Sequence, residues 1–101
     1  MTNEEAVDLA LRMTHLQRAV ILACERGRSW GYDRIAEGIG APYSEVRQAG
    51  LFLQREKLAR VSHVRHGQEF AGSAIFLNQR GEVVKAAAQI IEKRNRANAQ
   101  N

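Results

Sequence analysis

The feature that most limits how this chain can fold is a helix break at its centre, where Gly40 is followed two residues later by Pro42. Apolar residues recur at helical spacing in both 32–39 and 42–57, which predicts two amphipathic helices. Glycine ends helices because it accepts a left-handed backbone. Proline is expected as the first residue of the helix at 42–57, because an N–H group would have no partner at that position. Two helices must therefore meet across a turn of three or four residues.

Two further helices are predicted before this break. The first covers residues 3–13, with Asn3 as its N-cap and an acidic first turn. The second begins at Thr14 through a capping box with Gln17, in which each side chain satisfies a backbone N–H that the helix leaves unpaired. We expect this helix to end at Gly27.

After residue 58 the pattern becomes that of a β-hairpin. Residues 59–65 and 70–77 are rich in strand-forming side chains, and the glycine-containing stretch 66–68 between them is predicted to turn the chain. The hairpin is therefore expected to have two strands.

A fifth helix is predicted from Gln79 to about Arg94, with Asn78 as its cap and a polar, disordered tail at 95–101. A chain of 101 residues supports one core, so residues 1–94 form one domain. The expected fold is mainly α with a small β-hairpin: about five helices plus a two-stranded wing. This is the element order of a winged helix-turn-helix domain.

Charge is distributed unevenly along the sequence. Residues 1–11 contain three acidic side chains and no basic one, whereas residues 12–65 contain ten basic and five acidic ones. Arginine supplies 12 of the 15 basic residues, and its planar guanidinium suits phosphate oxygens and guanine edges. The formal net charge of +4 and this arginine bias favour a nucleic-acid partner.

Several other functional classes lack their sequence signals. No apolar run approaches the roughly 18 residues of a membrane span, and the acidic start is unlike a secretion signal, so a cytoplasmic protein is predicted. Cys24 is the single cysteine and lies on the inner stripe of its helix; His15, His63 and His66 show no paired ligand spacing. We predict no metal site, no cofactor and no enzymatic activity, because phosphate-binding loops and nucleophile elbows are also missing.

Four stretches resemble the multiple-antibiotic-resistance regulator (MarR) type of winged-helix protein. They are residues 14–23, residues 35–40, the apolar register of 46–58, and 77–81; the resemblance covers roughly 14–92. It implies a transcriptional regulator that binds double-stranded DNA as a homodimer, with the fourth helix in the major groove and the hairpin as the wing.

The outer face of the fourth helix would then contact DNA. Its inner face is predicted to consist of Val46, Ala49, Gly50 and Leu53. Arg47 and Gln48 are the candidates for base reading, since arginine and glutamine can each form two hydrogen bonds, to guanine and adenine respectively. The candidates for phosphate contact on this helix are Tyr43, Ser44 and Arg55.

Two residues of the same helix depart from this interpretation. Glu45 places a negative charge near the phosphates, and Leu51 is apolar where the resemblance implies a polar side chain. Leu51 can nevertheless contact a thymine methyl group. A solvated helix face is the alternative for all of these residues.

Further basic residues are candidates for DNA contact. In the hairpin they are Arg60, His63, Arg65 and His66, which surround the turn at Gly67. The alternative is that charge protects an exposed strand edge from aggregation. Arg28 and Arg34 flank the third helix and are candidates either for phosphate contact or for weak surface ion pairs.

The terminal helices carry more apolar side chains than a three-helix core requires. We predict that they form a dimer interface, with packing on their own subunit as the alternative. The predicted interface residues are Leu9, Met13, Val83, Val84, Ala87, Ile90 and Ile91.

The sequence therefore predicts a homodimeric regulator that binds an inverted repeat in duplex DNA and represses by occupying it. Because a fold does not fix a function, two alternatives stay open: a winged-helix module for protein contacts, and an architectural DNA binder that tolerates many sequences. The sequence does not identify a small-molecule effector.

Overall fold

A computed structural model of the chain describes residues 1–25, 27–67 and 69–99. Within these residues the chain forms five helices and a three-stranded antiparallel sheet, which confirms the predicted mainly α, winged helix-turn-helix architecture. The elements are α1 (Asn3–Arg12), α2 (His15–Ala23), β1 (Trp30–Gly31), α3 (Tyr32–Ile39), α4 (Tyr43–Arg55), β2 (Ala59–His66), β3 (Glu69–Leu77) and α5 (Gln79–Ala99).

The helix starts follow the capping chemistry of the sequence, with two shifts of one residue. The capping box at α2 is present: the Thr14 hydroxyl accepts from the Gln17 N–H at 3.1 Å, and the Gln17 amide oxygen accepts from the Thr14 N–H at 3.0 Å. At α1 the cap is Thr2 instead of Asn3. Pro42 is the N-cap of α4, with an extended ψ of 144°, instead of its first helical residue.

The end of α2 comes earlier than predicted. The helix ends at Ala23, and Cys24 is already extended with ψ of 126°. The Lys85 ammonium group of α5 donates a hydrogen bond to the Cys24 backbone carbonyl. Lys85, which is far along the chain, thus pairs with a carbonyl group that has no helical partner because α2 has ended. The helix therefore need not continue to Gly27 for this carbonyl to be satisfied.

The sheet contains one strand that the sequence did not predict. β2 and β3 form the expected hairpin, paired from Ala59 opposite Leu77 to His66 opposite Glu69. β1 pairs with the other edge of β3, placing Trp30 opposite Ile75. The strand order is β1-β3-β2, so the hairpin joins a three-stranded sheet in which β3 is central.

Asn78 caps α5 as predicted and also joins it to the turn that follows α4. Its side-chain oxygen accepts from the Gly81 N–H at 2.8 Å, and its side-chain nitrogen donates to the Lys57 carbonyl at 2.8 Å. α5 then continues to Ala99, beyond the predicted end at Arg94, so residues 95–99 are helical and not part of a disordered tail.

α1 and α5 pack on each other and close one side of the core, which corrects most of the predicted dimer interface. A side chain buried by its own chain has no surface left to bury against a partner. The predicted interface residues that are buried in the core of the single chain are Leu9, Met13, Val84, Ala87 and Ile91. Val83 is half-buried, and Ile90 is 57% exposed.

A buried arginine joins α1, α2 and α5. The Arg18 guanidinium donates to Glu92 at 2.6 Å and to the carbonyls of Ala10 and Met13 at the end of α1, at 2.9 and 2.5 Å. His15 lies 3.2 Å from the same carboxylate. Burial opposes ionisation of Glu92, but the hydrogen bond from Arg18 and the charges of His15 and Arg18 outweigh it, so the pKa of Glu92 is lowered.

Candidate nucleic-acid interface

The helix-turn-helix is held together by Tyr32, the first residue of α3. Its side chain is buried, and its ring lies against the backbone of Gly50 in α4. The ring of Tyr43, at the start of α4, meets it edge-on with 6.1 Å between ring centroids. Burial, with smaller contributions that include the neighbouring Tyr43 phenol, raises the pKa of Tyr32 to about 12. These contacts fix α4 against α3.

The turn between the two helices forms as the sequence predicts. Gly40 has φ of 71°, a left-handed conformation that glycine adopts without strain. The Ala41 N–H donates back to the Ala36 carbonyl at 3.1 Å, which closes the end of α3. The Pro42 carbonyl accepts from the Val46 N–H at 3.1 Å and begins α4.

The outer face of α4 is a continuous exposed stripe. Val46, Ala49, Gly50 and Leu53 are buried, as the helical period predicts. The exposed residues on the opposite side, which we call the α4 outer face, are Ser44, Arg47, Gln48, Leu51, Gln54 and Arg55. Four of them were predicted to contact DNA. Gln54 was missed, although its spacing from Leu51 and Gln48 could have placed it there.

The polar groups of the α4 outer face are not used to hold the fold. The side chains of Arg47, Gln48 and Arg55 make no hydrogen bond or ion pair with any residue that the structure describes. Their donors are therefore exposed to solvent and unused within the part of the chain that the structure describes. Tyr43, also a predicted contact, is 39% exposed at the start of the same helix.

Glu45 lies to one side of the α4 outer face. It helps to line a separate hollow of about 410 Å³ between α2 and α4, together with Thr14, Gln17 and Phe52. Gln48 and Arg55 border that hollow as well. The exposed negative charge of Glu45 thus lies on the α2 side of the helix, next to two residues of the outer face.

In the wing, the predicted residues differ in how free they are to bind. Arg65 is exposed and pairs with no acidic residue in the described part of the chain. The ring Nδ1 of His63 lies 2.9 Å from the Ser73 hydroxyl on β3. The Arg60 guanidinium lies over the Phe76 ring, 5.7 Å from its centroid. The side chain of His66 lies outside the described residues.

The two arginines near α3 differ in the same way. Arg28 forms an ion pair with Glu25 at 3.3 Å, and its guanidinium lies 5.4 Å from the centre of the Trp30 ring. The exposed Arg34 makes no ion pair within the described residues. Arg34 is therefore the freer of the two for a phosphate contact.

Cys24 has the environment of a packing residue. Its side chain is buried, and its thiol donates to the Val20 carbonyl at 3.4 Å. Burial raises the pKa of the Cys24 thiol to about 12. In residues 1–25, 27–67 and 69–99, no three His, Cys, Asp or Glu side chains are grouped as a metal site would require. Nor does any helix there have the length and apolarity to cross a membrane.

Comparisons with known proteins define the class of fold. No protein-family model and no curated protein sequence matches the chain. Solved structures do match the chain. Three of them are 17–23% identical to it in sequence, and one of the three is a MarR-family member. The chain has the winged-helix fold that MarR-family transcription regulators share, which confirms the resemblance at the level of fold.

Three of these structures illustrate the likeness. Zinc-responsive ZitR of Lactococcus lactis has a TM-score of 0.67 and 17% identity over 88% of this chain and 60% of its own. PcaV of Streptomyces coelicolor, solved with its natural ligand, has a TM-score of 0.66 and 23% identity over 84% and 60%. An S. aureus MepR mutant bound to an oligodeoxyribonucleotide has a TM-score of 0.61 and 17% identity over 98% and 75%.

The chain is shorter than many of these proteins. It spans 61%, 65% and 60% of the length of the first three solved structures it matches.

Proposed function

We propose that this protein is a transcriptional regulator that binds double-stranded DNA by placing α4 in the major groove. The observation that carries the proposal is the α4 outer face, where Arg47, Gln48 and Arg55 are exposed and make no side-chain hydrogen bond or ion pair within the described residues. Arginine and glutamine are the side chains that read guanine and adenine edges in the major groove. Arg65 of the wing and Arg34 of α3 would hold phosphates on either side.

The winged-helix fold supports this assignment, because in helix-turn-helix proteins the second helix of the motif is the one that enters the groove. The MepR structure, whose fold covers almost all of this chain, is bound to an oligodeoxyribonucleotide. The DNA complex was observed for MepR. The shared fold is the reason for proposing that this chain also binds DNA.

The protein is further proposed to act in the cytoplasm as a homodimeric repressor. Two copies would place two recognition helices about one DNA turn apart, so an inverted repeat is the expected site. The exposed apolar side chains of α1 and α5 favour these helices as the contact between copies: Val7 is 39%, Leu11 58% and Ile90 57% exposed. Ile90 and the half-buried Val83 remain from the predicted interface, and Val7 and Leu11 are added to it in place of the five residues that the core buries.

The proposal is tested by selecting duplexes with a random core on the purified protein at about 150 mM salt. We expect enrichment of one inverted repeat. Arg47→Ala should weaken binding to the enriched duplex by about 1–3 kcal/mol and relax the preference at one base pair. The matched control is Arg94→Ala, which removes an exposed arginine from α5.

Each other outcome has a definite meaning. Enrichment of no sequence, together with binding that falls with salt, would identify the protein as an architectural DNA binder. Absence of any binding would contradict DNA recognition and favour a module for protein contacts. Enrichment of a single half-site, with a monomer in analytical ultracentrifugation, would contradict the homodimer alone.

A further inference from the structure

The α4 outer face contains one apolar residue among polar ones. Leu51 is 39% exposed, whereas its exposed neighbours on the stripe are Ser44, Arg47, Gln48, Gln54 and Arg55. The core does not need Leu51, because Val46, Ala49 and Leu53 already form the buried side of the helix. A single exposed leucine is ordinary on a protein surface. What distinguishes Leu51 is its position in the middle of the surface proposed to meet the bases.

The surroundings of Leu51 combine apolar and hydrogen-bonding groups. Leu51 lines a shallow hollow of about 480 Å³ on α4 with Gln48, Gln54 and Arg55. In the major groove thymine presents a 5-methyl group beside its O4 acceptor, a pairing that no other DNA base offers. An apolar side chain next to amide and guanidinium donors matches that pair of groups.

We infer that Leu51 reads the 5-methyl group of a thymine in the half-site, while Gln48, Gln54 or Arg55 donates to its O4. The inference rests on the proposed function, since it presumes that α4 lies in the major groove. Leu51 is four residues from Arg47, about 6 Å along a helix. Successive bases are about 3.4 Å apart, so this thymine should lie within about two base pairs of the base that Arg47 contacts.

The test replaces thymine by uracil, which lacks only the methyl group. In the duplex enriched by selection, each thymine is changed in turn to deoxyuridine and the affinity of the wild-type protein is measured. One position should lose about fourfold, the factor that corresponds to burial of one methyl-sized group. Leu51→Ala should bind the thymine and uracil duplexes equally well at that position, and Leu51→Met should retain the difference.

Two controls separate this effect from general damage. Leu51→Ala keeps a strong helix former at an exposed site, so circular dichroism should match that of the wild type. Arg94→Ala removes an exposed side chain that belongs neither to the α4 outer face nor to the proposed contact between copies, and this variant should keep the full loss with uracil.

The possible outcomes separate a failure of the thymine contact from a failure of DNA recognition. If the wild-type protein enriches no duplex, the proposed function fails and this inference fails with it. If it enriches a duplex but tolerates uracil at every position, the thymine contact is overturned and DNA recognition stands. A loss with uracil that persists in Leu51→Ala also overturns the contact, because the methyl group would then act through DNA shape or another residue.

Discussion

A Cβ atom on Gly50 would lie 2.0 Å from the hydroxyl oxygen of Tyr32, so only glycine lets α4 lie directly against this buried phenol. Both the oxygen and the ring carbons behind it are in the way, the nearest of these at 2.5 Å. The small residue therefore determines how closely the recognition helix approaches α3.

Gly50→Ala is accordingly expected to destabilise the protein by about 1–3 kcal/mol through overpacking. The matched change is Gly38→Ala in α3, where an added Cβ meets nothing within 4 Å. There the gain in helix propensity should stabilise the protein by up to about 1 kcal/mol. Urea unfolding at neutral pH measures both, and effects of the same sign would contradict the close contact.

Glu92 should make stability depend on pH in the acid range. Its pKa is lowered in the folded protein, so its contribution is fully present above the ordinary value of 4.5 and is lost as the pH falls below it. Glu92→Gln should lose about 1.5–3 kcal/mol at pH 7, because the charge-assisted bond from Arg18 is weakened. It should also unfold with a flatter pH dependence in acid.

His15→Ala is the control for Glu92, since the His15 side chain is 81% exposed and its pairing with Glu92 should contribute little. Denaturant titrations at several pH values compare the three proteins. Parallel profiles for the wild type and Glu92→Gln would show that Glu92 is not the titrating group.

The Cys24 thiol should be nearly inert in the folded protein. Because burial raises its pKa to about 12, it is protonated and shielded at neutral pH. A disulfide reagent at pH 8 should modify Cys24 in the folded protein at least about 100-fold more slowly than in the urea-unfolded chain. Rapid modification of the native protein would contradict this burial and reopen a redox role.

Cys24 should also contribute to alkaline unfolding. A raised pKa means that its stabilising effect is complete below the ordinary value of 9.0 and is lost as the pH rises toward about 12. Cys24→Ala should therefore show a shallower loss of stability over this range. Tyr32, whose pKa is raised from 10.0 to about 12, should contribute to the slope that remains. Equal slopes would exclude the thiol.

Arg65 of the wing should act through phosphate charge. Removing one phosphate contact lowers the slope of log affinity against log salt by about 1, with little change in sequence preference. Arg65→Ala is therefore expected to weaken binding to specific and random duplexes alike, and Arg94→Ala to weaken neither. Fluorescence anisotropy over a salt series gives the slopes; an unchanged slope would remove Arg65 from the interface.

Local signals in the sequence predicted most of the helix-turn-helix. The capping box at Thr14, the left-handed Gly40 and the inner stripe of α4 each depend on residues within a few positions of one another. For the same reason the helical period identified Arg47 and Gln48 as exposed. That neither side chain pairs with another of the described residues became evident only in the three-dimensional structure.

Features that depend on distant residues were missed. β1 has two residues and exists because Trp30 pairs with Ile75, while α2 ends early beside Lys85. The apolar stripe of α5 was assigned to a second subunit, whereas α1 covers much of it within the same chain. Periodicity identifies an apolar face but not which surface buries it.

β1 has a consequence for how the protein would meet a duplex. It ends at Gly31, and α3 begins at the next residue, while its other contact is the central strand of the wing. The wing and the helix-turn-helix are thus tethered by both the chain and the sheet and should turn together as one rigid body. In a dimer, the separation of the two half-sites would then be set by how the subunits meet, with little adjustment from bending inside either one.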